Sequence, residues 1–157
     1  VIFVERLLTS VDLDGHDPGS HARSMFVRAR HEAVLADGRH VLLLDDRGWG
    51  GTVRVAFLDG SPSEEDRRRA EREAPRAWAH ETVEGMQETA RMVVGPDAPW
   101  GDHTEAEMES GHWDWMARIL RDNEIDVSGD ELKALPHDVE LNDRVMARIG
   151  GSSQEAS

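Results

Sequence analysis

The chain of 157 residues contains no cysteine, which excludes disulfides, thiolate zinc sites, iron–sulfur clusters and cysteine nucleophiles together. Long apolar runs are missing too: none exceeds four residues, as in Val41 to Leu44, far short of the ~20 that span a bilayer. No basic leader followed by an apolar stretch opens the chain, so nothing marks it for export and the cytoplasm is the expected location. Lysine occurs once, at Lys133, among 18 basic residues. With the abundance of Ala, Gly and Arg, this reads as a bacterial-type coding bias without chemical meaning. There is no Gly-x-Ser-x-Gly elbow, no dinucleotide fingerprint and no His-Glu-x-x-His pair. No internal repeat is visible, and no motif ties the chain to a known family.

What the chain has in excess is negative charge. Its net charge is −14, from 32 acidic and 18 basic residues. Residues 1–60 are nearly balanced, with 9 acids and 7 bases, whereas residues 61–157 carry 23 acids and 11 bases. The densest stretch, Asp97 to Asp143, sets 14 acids against Arg118, Arg121 and Lys133. Such a field repels phosphate backbones, which argues against nucleic acid as a partner. It speeds encounter with a basic protein and also keeps a small protein soluble.

Hydrophobic periodicity changes character near residue 60. Val1 to Leu8 opens as an apolar run and reads as a strand, although a short helix fits it too. Met25, Val27, Ala29, His31, Ala33 and Leu35 alternate with polar residues over a second strand. Asp37-Gly38 supplies a tight hairpin turn, and Arg39 to Asp45 returns as the partner. Arg47-Gly48-Trp49-Gly50-Gly51 reads as a glycine-rich loop before a further strand, Thr52 to Leu58. Beyond it, Ser63 is an N-cap followed by acids that suit the positive end of a helix, and Pro75 interrupts or opens a helix. Ala79, Val83, Met86, Ala90 and Val93 form a stripe of helical period, stopped at Gly95-Pro96. Thr104-x-x-Glu107 and Ser128-x-x-Glu131 are capping boxes, and Asn142 caps a last helix through Ile149 with Val145 and Met146 inward. The expected fold is α+β: an N-terminal antiparallel β-meander of three or four strands, with a C-terminal set of four or five helices packed on one face. One domain is expected over residues 1–149, with strands mainly over 1–58, helices mainly over 63–149, and a flexible tail over 150–157.

Four groups of residues could carry chemistry. Asp12-Leu13-Asp14-Gly15-His16-Asp17 begins like a calcium loop, but Asp17 stands where the motif needs glycine and Arg23 where it needs the closing glutamate. Glu109-x-x-His112 has the helical carboxylate–imidazole spacing of di-iron proteins, and His80, Glu84 and Glu88 are spaced to complement it. The second Glu-x-x-His is missing, so neither a metal nor a cofactor is expected. His103 and His112 flank Glu105, Glu107 and Glu109, but no spacing fixes a nucleophile beside them. His31 projects from an otherwise apolar strand face, where a satisfied core histidine is the usual outcome. Trp49, set among glycines, either folds onto the core or is presented to a ligand; Trp100, Trp113 and Trp115 add aromatic mass to the acidic segment.

These features favour a non-catalytic binding protein, inhibitor- or immunity-like in size and charge, that meets a basic protein through its helical half. The alternative is a small enzyme or ligand-binding domain with a pocket between sheet and helices. Candidate interface or pocket residues are Trp49, Trp100, His31, His80, His112 and Glu109.

Overall fold

A computed structural model describes residues 1–19, 22–53 and 62–150 of the chain. The sheet is built from β1 (Val4–Leu13), β2 (Ser24–Leu35), β3 (His40–Thr52) and β4 (His137–Leu141), in the order β3-β2-β1-β4. In β2 the alternation holds: Met25, Val27, Ala29, His31 and Ala33 are buried while Phe26, Arg28 and Arg30 are exposed. The turn to β3 closes through Gly38, whose φ of 90° suits glycine and whose N–H donates to the Leu35 carbonyl at 2.9 Å.

The expected antiparallel meander is corrected at two places. First, β4 pairs with β1 in parallel, Leu7 opposite His137 and Val11 opposite Leu141, so the sheet is mixed. A parallel neighbour needs a long crossover connection, and the helices between β3 and β4 supply it. Second, Arg47 to Gly51 is strand, not loop: Gly48 lies opposite Arg28, Trp49 opposite Val27 and Gly50 opposite Phe26. The glycines are there because the backbones approach closely. A Cβ at Gly48 would collide with the Val27 carbonyl, and one at Gly50 with the Met25 carbonyl and the Phe26 ring. Register shifts on either side of His31 let this long strand bend. The expected strand from Thr52 to Leu58 lies outside the described residues after Val53, and the tail lies outside them from residue 151 on.

Five α-helices follow among the described residues: α1 (Glu64–Glu73), α2 (Val83–Val93), α3 (Glu105–Asp122), α4 (Gly129–Lys133) and α5 (Asp143–Met146). Their starts are set by side-chain caps. Ser63 and Asp66 form a capping box, and Thr82, Thr104, Ser128 and Asn142 each accept a backbone N–H of the first turn. Pro75 sits in a 3-10 turn, Ala74–Arg76. None of these helices is long and apolar enough to cross a membrane.

Two apolar clusters hold sheet and helices together. One joins Leu7, Ala29, Ala33 and Leu44 to Met116, Ala117 and Leu120 of α3 and Leu132 of α4. The other joins Val11, Met25, Val27 and Val139 to Met86 and Ala90 of α2 and Val145 of α5. Met146, expected inward, is exposed, because α5 ends after one turn and turns only Val145 to the core. The calcium-like stretch is an ordinary hydrogen-bonded turn. The Asp17 carboxylate is buried and forms an ion pair with buried Arg148 at 2.9 Å, and also accepts from the backbone N–H of Phe26 at 2.8 Å. Asp14 accepts from His16 N–H, and Asp12 pairs with Arg144.

Candidate functional site

Two polar features interrupt the apolar packing. The first is a seam on β1. Thr9 lies between Leu7 and Val11 on the inward face, opposite His31 of β2. Its hydroxyl is 2.8 Å from His31 Nδ1 and 2.6 Å from His137 Nε2 at the start of β4. A hydroxyl has a single proton, so at least one imidazole must donate to it and at most one can accept from it. The two rings meet edge to face, 4.9 Å apart. Thr9 and His31 are 0% and 1% exposed. Burial pushes His31 down to about 3, with the neighbouring positive charge of His137 and then of His112 adding to the effect. His137 is lowered by its own burial and by Arg91, against the opposing pull of Asp138. Neutral at pH 7, the seam closes on itself: among the described residues no buried side-chain polar atom lacks a partner.

The second feature is an open cleft of about 450 Å³ between β3, the segment that follows α2, and α3. Met108, Gly111, His112 and Trp115 line it from α3, at the i, i+3, i+4, i+7 spacing of one helix face. Leu44, Asp46 and Arg47 line it from β3, and Asp97, Trp100 and His103 from the loop. Arg47 fixes this loop. Its Nη1 donates to the Val93 and Gly95 carbonyls at 2.9 and 3.2 Å, satisfying the C-terminal end of α2, and pairs with Asp97 at 3.2 Å. The Trp100 ring rests on His103 with centroids 4.4 Å apart, and His103 faces Glu107 at 3.5 Å. Trp100 and Trp115 nonetheless remain 66% and 42% exposed. Burial lowers the His112 imidazole, and the Arg47 guanidinium lowers it further against the weaker pull of Asp97.

Of the residues singled out in the sequence, Trp100 and His112 meet in this cleft. His31 is placed behind it in the seam, near enough to sense the charge of His112. Trp49 is half-buried and packs against both apolar clusters. His80 is displaced from its expected helical row: α2 begins only at Val83, and the exposed His80 ring stacks on Trp78 at 5.9 Å. Glu109 turns away from the cleft and pairs with Lys133 of α4. His80 and Glu109 are thus each drawn out of the expected carboxylate–imidazole rows, and no three His, Asp or Glu side chains among the described residues are grouped to hold a metal. Sequence reasoning passed over Thr9, His137 and Asp97. Of these only His137 carried a local signal, as the first residue of the alternating run His137, Val139, Leu141.

No family model matches the chain, and no curated protein or solved structure matches it.

Proposed function

We propose that the chain is a non-catalytic, cytoplasmic binding protein whose acidic helical half engages a basic protein partner, in the manner of an inhibitor or immunity protein. The observation that carries this reading is the exposure of Trp100 and Trp115 inside the acidic segment. Solvent-exposed indoles are the side chains that most often anchor interfaces, and the surrounding carboxylates make a basic surface their natural complement. The same charge disfavours nucleic acid. The test is capture of partners at low salt, identification of the recovered protein, and measurement of its association rate with the purified chain. A basic partner is expected, with an association rate that falls steeply as ionic strength rises. Recovery of no protein, or of a partner whose rate is insensitive to salt, would count against the reading.

A second reading, a small-ligand domain or enzyme, draws support from the cleft alone, because about 450 Å³ with His112 in its wall falls in the range of small-molecule sites. Catalysis has less behind it. Thr9 is the hydroxyl placed between two imidazoles, but it is sealed from solvent, and a nucleophile must reach its substrate.

A further inference from the structure

We propose that the cleft between β3 and α3 receives an arginine or lysine side chain of the basic partner. This rests on the binding reading above and adds to it the chemical group that is recognised. The cleft has room for a long side chain, and its exposed large apolar surfaces are two indoles, which attract cations and pack against an aliphatic stem.

The charges of the lining point the same way. Arg47 is engaged through Nη1 by two backbone carbonyls and by Asp97, so its charge is already offset by a carboxylate of the same lining. Asp46 has no ion pair among the described residues, and Glu107 faces only neutral donors and an imidazole, the Thr104 hydroxyl at 3.3 Å and His103 at 3.5 Å. His112 is lowered and adds no positive charge at neutral pH. An anionic ligand would meet Asp46, Asp97 and Glu107, against one lining guanidinium, Arg47, that is already paired with Asp97. A neutral apolar ligand would cover these carboxylates without compensation. A cation on a flexible stem satisfies both halves of the lining.

The experiment is a titration of the full chain, followed through the indole N–H resonances of its tryptophans. The probes are N-acetyl-arginine amide, N-acetyl-lysine amide and the uncharged isostere N-acetyl-citrulline amide. The Trp100 and Trp115 signals are expected to shift saturably with the two cations and not with citrulline. The double variant Trp100→Ala/Trp115→Ala should lose roughly tenfold in affinity, about 1.4 kcal/mol. Asp46→Asn should lose roughly twofold to fivefold. Equal response to citrulline, or shifts confined to the other tryptophans, would overturn the assignment. Much tighter binding of free arginine or a simple diamine would transfer the site to a small metabolite and overturn the partner source. A basic partner that binds the double tryptophan variant as tightly as the native chain would remove this inference and leave the binding reading standing. Saturable cation binding with no protein captured at low salt would remove the binding reading instead, and with it the partner as the source of the cation.

Discussion

The seam at Thr9 and the cleft at Trp100 both gather histidines beside the same sheet, yet they differ in what remains for a ligand to do. In the seam, the Thr9 hydroxyl holds one nitrogen of each of two imidazoles, and Thr9 and His31 are shut off from solvent. In the cleft, two indoles and the Asp46 carboxylate stand open to water. Strongly lowered histidines are a common sign of function, but here the most perturbed one, His31, belongs to the closed region. Perturbation measures burial. Readiness to bind is measured by polar and aromatic surface that the fold leaves unmatched.

Perturbing each region in turn sharpens that contrast, and the seam should give the larger response in stability. Thr9→Val keeps the shape and removes the hydroxyl, leaving two ring nitrogens short of a partner. At ~1–3 kcal/mol for each buried group left unmatched, and with His137 only half-buried, the cost should be roughly 2–4 kcal/mol in urea unfolding. Thr9→Ser, which keeps the hydroxyl, should cost about 1 kcal/mol through the lost methyl. Equal losses in the two variants would show that packing, not hydrogen bonding, dominates the seam.

Acidification attacks the same region through His31. Its pKa is about 3 when folded and about 6.5 when unfolded, so the unfolded chain takes up the proton first. The stabilisation is complete above the unfolded value and is lost as pH falls from about 6.5 toward the folded value. Between about pH 7.5 and pH 4.5 the loss from this residue should be roughly 2–3 kcal/mol. His112 and His137 are lowered too and act in the same direction. Unfolding free energies at the two pH values should therefore converge in His31→Gln relative to the native chain. An undiminished difference would place the acid sensitivity elsewhere.

The cleft should respond less. Arg47→Ala removes two bonds to carbonyls at the end of α2 and the Asp97 pair, for an expected loss of about 1–2 kcal/mol in thermal or urea unfolding. Trp100→Ala should change stability least, by about 0.5 kcal/mol or less, because its side chain is already exposed, and Trp115→Ala by about 1 kcal/mol, because more than half of its surface is covered. Large destabilisation by either would mean that the indoles serve the core.

Much of the frame was legible in local pattern. The period of β2 placed His31 inward, and the caps at Ser63, Thr104, Ser128 and Asn142 stand where side-chain oxygens can meet free N–H groups. Legibility failed where distant partners decide. Gly48, Gly50 and Gly51 carry the composition of a loop, but Gly48 and Gly50 are glycine because a neighbouring strand presses on them. The alternation of His137, Val139 and Leu141 was visible, while its parallel pairing with β1 depends on residues more than a hundred positions earlier. The candidate site shows the same division. Trp100 and His112 could be named singly, but their meeting depends on Arg47, whose position in a strand the glycines concealed.

On the proposed reading, the acidic helical half, and not the sheet or the seam, is the surface that meets a partner. Hydrogen–deuterium exchange of the chain alone and in complex with its captured basic partner addresses this directly. Protection is expected to concentrate over residues 97–115 and the facing segment 44–47, with β1 and β4 unchanged. Protection confined to the strands around Thr9 and His137, or to the polar sheet face bearing Arg28 and Arg30, would contradict it.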